Sequence, residues 1–341
     1  MAVKRKICIT GPSSHKLAEE TLRSAGCELV LGKSADEFRE YRYPRKELID
    51  LIGDSDIVYP AGRDVISGDI LDSCPNLQAV VKSSIGIETV DLDAATDLGI
   101  LCCNSPTPEN YMGVAEATLG LMVALFKRLK LNEAYMRSTG WRENQNRGAL
   151  MLGKTVGIIG VGRIGQNVAK RLGAWGMKIL GYDPYVKQET VAPLGVKMVS
   201  LENLLKASDA VTLHVVLTRE TRGMIGLEQL RMMKPTAFII NTSRGPAIKE
   251  SDLVKALNEK IIAAAALDVF EEEPLPMDHP LRRVDASRLI LTPHIIGTNP
   301  GSLEAGQRLA AQSILSILEG KVPDTVVNPL AIPRWRERFW S

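Results

Sequence analysis

Apolar residues fall along this chain in short runs separated by longer stretches of mixed character. In the first hundred positions the runs occupy residues 4–10, 57–59, 77–81 and 100–102. Each has the length of a strand, and the intervening segments suit helices, so the pattern predicts alternating strands and helices and a parallel sheet. From Met112 to Arg128 the spacing becomes helical, with Val114, Ala117, Leu121, Leu125 and Arg128 on one face. Leu119, Met122, Val123 and Ala124 carry the apolar character around the rest. Such a helix must be covered on several sides, between domains or against another subunit.

A second alternating series occupies residues 155–159, 178–182, 210–213, 237–240, 263–267 and 289–291. Near the end Leu303, Gln307, Ala310, Ile314 and Leu318 share a helical face, and Gly320 suits its termination. There is no internal repeat and no low-complexity linker.

Length sharpens this picture, because 341 residues exceed what one hydrophobic core usually organises. Two domains are expected, and 45% apolar residues give each a core. Charge narrows the partners: 42 Lys and Arg balance 40 Asp and Glu with no long single-sign block, which argues against nucleic-acid and membrane-surface roles. Five cysteines (Cys8, Cys27, Cys74, Cys102, Cys103) show no CxxC or Cys/His metal spacing, so no metal is expected and a reducing intracellular compartment fits. The apolar stretch after Lys6 ends at Gly11, too short for a signal-peptide core or a membrane span. The expectation is a soluble, cytoplasmic protein with a small-molecule partner.

The most specific motif is Gly160-Val161-Gly162-Arg163-Ile164-Gly165, directly after the run at 155–159 and before a helical face of Ile164, Val168, Leu172 and Trp175. In that context Gly160 permits the tight turn, Gly162 lets backbone amides approach a pyrophosphate, and Gly165 lets helix and strand pack closely. The helix amino end favours negative charge. Asp183 ends the next expected strand, where a carboxylate accepts hydrogen bonds from ribose hydroxyls and repels a 2′-phosphate. NAD is therefore favoured over NADP.

Three further segments each follow an expected strand: Asn241-Thr242-Ser243-Arg244-Gly245, then Asp268-Val269-Phe270-Glu271-Glu272-Glu273-Pro274, then Thr292-Pro293-His294. Ligand sites in open parallel sheets form at the carboxyl ends of strands, so Arg244, Glu273 and His294 are placed to converge on the edge that carries the glycine turn. A guanidinium matches a carboxylate in shape and charge. A histidine titrates near neutral pH, and a neighbouring acid orients it and favours its protonated form.

This constellation, with Val90-Asp91-Leu92-Asp93-Ala94-Ala95 and Leu152-Gly153-Lys154, resembles the D-isomer-specific 2-hydroxyacid dehydrogenase family over almost the whole chain. The resemblance implies hydride transfer between NAD and C2 of a 2-hydroxy or 2-oxo acid. Arg244 would bind the substrate carboxylate, His294 act as acid and base, and Glu273 orient it. Asp268 would meet the nicotinamide carboxamide or stabilise a loop, with His214, Thr242 and Gly297 in the cofactor groove. A backbone loop at Ser84, Ile85 and Gly86 would receive the substrate acid. Arg63 would reach a second negative group or remain a surface arginine.

The implied fold is α/β, with two doubly wound parallel-sheet domains. Residues 1–104 and 296–341 would form a flavodoxin-like substrate domain, and 105–295 a Rossmann NAD-binding domain. The apolar helix after Met112 suggests a homodimer. The chain departs from the family in two places: Val216, not proline, stands two residues after His214, and Ser84 and Ile85 alter a glycine-rich loop. Phosphite enzymes of the family carry lysine where Ile85 stands, and formate enzymes glutamine in place of Glu273, which disfavours both. A rival from another class is a nucleotide-sensing, corepressor-like binding protein on the same scaffold. The aromatic and basic tail at 333–340 is expected to cover apolar surface.

Overall fold

Every strand among the described residues belongs to one of two all-parallel sheets. The computed structural model describes residues 5–11, 15–33, 41–138 and 140–341. Lys4, expected at the start of the first strand, lies outside them. The chain divides into two compact units, Met1–Asn110 with Asn299–Ser341, and Tyr111–Thr298.

The first unit is built on β1 (Lys6–Ile9), β2 (Glu28–Leu31), β3 (Ile57–Tyr59), β4 (Ala79–Val81) and β5 (Leu101–Cys103), in the spatial order β2-β1-β3-β4-β5. This is the flavodoxin-like order. Its strands are apolar on both faces because helices cover both, and the two-residue period sorts them cleanly. Ile7, Ile9, Ile57, Tyr59, Val81 and Leu101 enter one core, and Cys8, Val58, Val80 and Cys102 the other. The first of these cores is closed by the carboxyl-terminal segment: the helix Pro300–Leu318 contributes Ala310, Ala311, Ile314 and Ile317, and the helix Ile332–Phe339 contributes Trp335. The tail is therefore core and not merely a cover. The helix Pro300–Leu318 buries Ser302, Gly306 and Ala310 while Leu303 is exposed, so its inner face is rotated from the one expected. Small residues there let the helix lie close to the sheet. Asn299 and Ser302 start it with reciprocal side-chain to backbone bonds.

The second unit holds β6 (Thr155–Ile159), β7 (Lys178–Tyr182), β8 (Val196–Met198), β9 (Ala210–Leu213), β10 (Phe238–Asn241), β11 (Ala264–Leu267) and β12 (Leu289–Leu291), in the order β12-β11-β10-β9-β6-β7-β8. The order reverses between β6 and β9, the switch point of a doubly wound Rossmann sheet. Again the strands are split between two cores, with Ile159, Val211, Leu213, Ile239 and Leu267 on one side and Val156, Ile158, Ala210, Ile240 and Ala266 on the other. The apolar helix Pro108–Phe126 buries Ala115, Leu119, Leu121, Met122, Leu125 and Phe126 in the second of these cores. Much of its apolar circumference is thus used inside the unit. Exposed large apolar side chains include Met112 on the helix itself and Leu129, Met136, Trp141, Leu150 and Leu152 just beyond it.

Candidate active site

Within the second unit, the residues singled out from the sequence stand just past the carboxyl ends of successive strands. At the switch point, β6 turns into the helix Arg163–Ala174 through Gly160, whose φ of +89° is one that residues with a side chain rarely adopt. A Cβ there would lie 2.5 Å from the His214 carbonyl oxygen, so the turn needs glycine on both counts. Gly162 precedes the helix with no side-chain cap, and a Cβ on it would meet nothing within 4 Å. The space beside Gly162 is thus open, next to the positively polarised amino end of the helix. Gly165 packs that first turn onto the strand end, with the Gly160 carbonyl oxygen 2.2 Å from where its Cβ would be.

Asp183, at the end of β7, is half-buried. Its Oδ2 accepts from the Val161 amide at 2.9 Å and its Oδ1 from the Tyr185 amide at 2.9 Å. Its carboxylate is thereby fixed beside the glycine turn. His214, at the end of β9, shares a 3.1 Å hydrogen bond between Nε2 and the Thr212 hydroxyl. Burial pulls its pKa down to about 3, so its ring is neutral, and its buried Nδ1 has no hydrogen-bond partner among the described residues. Thr242 is buried after β10, its hydroxyl 2.9 Å from that of Thr118. Gly297 lies against Val114. The loop after His214, where the family proline is missing, is closed by Thr221, whose hydroxyl donates to the Val216 carbonyl at 2.7 Å and accepts from the Thr218 amide at 2.7 Å.

An uncapped helix end over open space, a carboxylate fixed at the next strand end and an unpartnered imidazole nitrogen suit a dinucleotide. These residues fit NAD.

On the same sheet edge, His294 Nδ1 lies 2.7 Å from Glu273 Oε2. The other Glu273 oxygen accepts from the Phe270 amide at 3.0 Å, which leaves the carboxylate little freedom to turn. His294 itself has φ +52°, an uncommon conformation for a residue other than glycine, though histidine tolerates it better than most. The strained backbone is held by Asp268, whose buried Oδ1 accepts from the Thr292 hydroxyl at 2.6 Å and from the Ile295 and Ile296 amides at 3.2 and 3.4 Å. Asp268 thus orders the loop that carries His294.

The Glu273 hydrogen bond, then its charge and that of Asp268, raise the His294 pKa above its ordinary value, against the effects of burial and of Arg244. Glu273 is held below the usual carboxylate range. Burial opposes its ionisation, but the hydrogen bond and charge of His294, the Phe270 amide and the Arg244 charge together prevail. Arg244 sits in the turn after β10, where Asn241 Nδ2 donates to its carbonyl at 2.9 Å and its own Nη1 donates to the Ser243 carbonyl at 2.6 Å.

The substrate residues expected in the first unit also follow strand ends. Past β4, Ser84 donates to the Gly86 carbonyl at 3.0 Å, Asn104 Nδ2 donates to the Ile85 carbonyl at 2.8 Å, and the Ser105 amide donates to the Ser84 carbonyl at 2.9 Å. The loop is pinned by the residues that follow β5. Arg63 is exposed in the turn after β3. Beneath that turn lies a buried polar group that sequence reasoning missed. Thr10 donates to Asp64 and accepts from the Ala61 amide, and Lys82, almost fully buried, donates to Thr89 at 2.8 Å. Only its position at strand ends hinted at it.

A glycine turn at the switch point of this sheet defines a dinucleotide-binding protein of the Rossmann class. The family model for the NAD-binding domain of D-isomer-specific 2-hydroxyacid dehydrogenases matches residues 119–296, and the chain belongs to this family of NAD-dependent oxidoreductases. It is 39% identical over 331 residues to D-3-phosphoglycerate dehydrogenase of Methanocaldococcus jannaschii, covering 96% of this chain and 60% of that one. It is 40% identical over 311 residues to glyoxylate reductase of Thermofilum pendens, covering 89% and 88%. Among solved structures, D-lactate dehydrogenase of Aquifex aeolicus in complex with NAD and lactic acid superposes with a TM-score of 0.83 at 27% identity, covering 95% of this chain and 99% of that one.

Proposed function

We propose that this protein interconverts a D-2-hydroxy acid and the corresponding 2-oxo acid. The observation that carries the reading is the His294–Glu273 pair, held at 2.7 Å on the sheet edge that also bears the glycine turn. Bound nicotinamide supplies or accepts the hydride. Arg244 binds the substrate carboxylate and polarises the C2 oxygen through its fork of N–H donors. With Nδ1 committed to Glu273, His294 presents Nε2 to the substrate, taking the hydroxyl proton in oxidation and returning it in reduction. Glu273 stays ionised throughout, stabilising the imidazolium and fixing the ring plane. Asp268 holds the His294 loop.

The substrate class is supported by the relatives, whose names denote phosphoglycerate, glyoxylate and lactate chemistry. We also propose a homodimer formed through the exposed apolar side chains Leu129, Met136, Trp141, Leu150 and Leu152 that follow the helix Pro108–Phe126, which equilibrium sedimentation tests directly. Five free cysteines suit a reducing, cytoplasmic setting, and no helix among the described residues is long and apolar enough to cross a membrane.

The reaction is tested by reducing glyoxylate, hydroxypyruvate, pyruvate, phenylpyruvate and a branched-chain 2-oxo acid with NADH, followed by chiral analysis of the product. A D product from a chiral member of the panel supports the reading, and an L product contradicts it.

A further inference from the structure

Glu250 opens the helix Glu250–Asn258, a short way along the chain from the turn that carries Arg244. An acid in a first helical turn is favoured by the helix dipole alone. Glu250, however, is only 3% exposed, and its side chain bonds to a different loop. Its Oε1 accepts from the Glu271 amide at 2.8 Å, while Glu271 Oε1 accepts from the Glu250 amide at 3.1 Å. This reciprocal pair joins the Arg244 side of the edge to the loop in which Glu271 stands two residues before Glu273. The second Glu250 oxygen lies 3.2 Å from His279 Nε2, close enough for charge contact but off the line of a hydrogen bond. His279 Nδ1 in turn accepts from the Leu281 amide at 3.3 Å, which fixes the ring.

The two loops also touch directly. A Cβ on Gly245 would lie 1.9 Å from the Phe270 carbonyl carbon and oxygen, so the turn after Arg244 lies against the backbone of Phe270. The Phe270 amide is the group that fixes Glu273 Oε1. A continuous set of contacts therefore runs from Glu250 through Glu271 and Phe270 to Glu273 and His294.

We infer that Glu250 is a positioning residue for the proposed acid-base pair, locking the Glu271–Glu273 segment so that Glu273 meets His294. This rests on the reading of His294 and Glu273 given above. Glu250 touches neither His294 nor Arg244 and acts through Glu271. The groups bearing on it are Glu271, His279 and Glu273, and those bearing on His294 are Glu273, Arg244 and Asp268.

Reach and charge are separable at this position. Glu250→Asp keeps the charge but shortens the side chain by one methylene. Glu250→Gln removes the charge but keeps an oxygen where the Glu271 amide needs it. The chain has four histidines, so each ring can be followed by NMR titration of the histidine-labelled full-length protein, with His294→Gln identifying the His294 signal. Positioning predicts that Glu250→Asp lowers the His294 proton affinity roughly tenfold, toward that of Glu273→Gln, while Glu250→Gln stays near wild type. Thermal melts of each variant confirm that the fold is intact. A Glu250→Gln shift equal to or larger than that of Glu250→Asp, or no shift in either, overturns the inference and leaves the pair itself standing. A wild-type His294 with no elevation overturns both.

Discussion

Glu273 binds His294 through one carboxylate oxygen, at 2.7 Å, and a backbone amide three residues before it through the other. The second bond matters as much as the first, because a carboxylate held on both oxygens cannot rotate away when the imidazole changes its charge. The pair is also only part-buried, with side-chain exposures of 50% for His294 and 36% for Glu273, so substrate and solvent protons reach the ring.

The sign of the pH dependence follows. The protonated form of His294 persists above the ordinary imidazole value of 6.5, first because of its hydrogen bond to Glu273. Reduction of a 2-oxo acid, which consumes that proton, should hold at low pH and fall as pH rises through the elevated pKa. Oxidation should show the opposite limb. Glu273→Gln removes the charge, so both limbs should move to lower pH; limbs that stay in place would show that another group titrates.

The same pair links pH to stability. The His294 share is fully present below 6.5 and is lost as pH rises through the elevated folded value. The Glu273 share is present above the ordinary carboxyl value of 4.5 and is lost as pH falls through the depressed folded value. Both are present between 4.5 and 6.5. Chemical denaturation of wild type and Glu273→Gln across pH should show their largest difference there, and a difference that keeps growing at more acid pH would contradict it.

Two glycines of one turn should behave differently. Gly160→Ala forces a side chain into φ +89° against the His214 carbonyl, and should destabilise the protein by about 1–3 kcal/mol or more. Gly162→Ala meets no protein atom within 4 Å, and should melt like wild type while binding NADH more weakly. Thermal melts with NADH titration separate the two, and equal behaviour would mean that the open side of Gly162 does not face the cofactor.

How legible this was depends on how each feature is encoded. The sheet strands that run through the middle of each unit appear in the sequence as apolar runs because both faces are covered. The two strands missed, β2 and β8, are outermost in their sheets and offer little apolar run: β2 has only Leu29 to Leu31 after Glu28, and Lys197 interrupts β8. The glycine turn and Asp183 were legible because their spacing along one βαβ unit is set by local geometry. The Glu250–Glu271 bonds, the Thr118–Thr242 contact and the Thr10–Asp64 bond were not. Each joins segments distant along the chain, and such pairings leave no periodic trace.

The tail offers a test of stability apart from chemistry. Trp335 is completely buried in the core of the first unit, so Trp335→Ala should cost about 3–5 kcal/mol. Urea unfolding measures this, and a cost below about 1 kcal/mol, as for a surface substitution, would contradict the packing.

The central claim is that His294 moves the proton of this reaction. The most direct measurement compares NADH-dependent reduction of the 2-oxo acid panel by wild type and His294→Ala, with NADH affinity determined in parallel. The account predicts turnover by the wild type, a loss of roughly 10²- to 10⁴-fold in kcat for the variant, and NADH affinity little changed. Wild-type protein that binds NADH yet turns over none of the acids, or a variant that turns over as fast as the wild type, would contradict it.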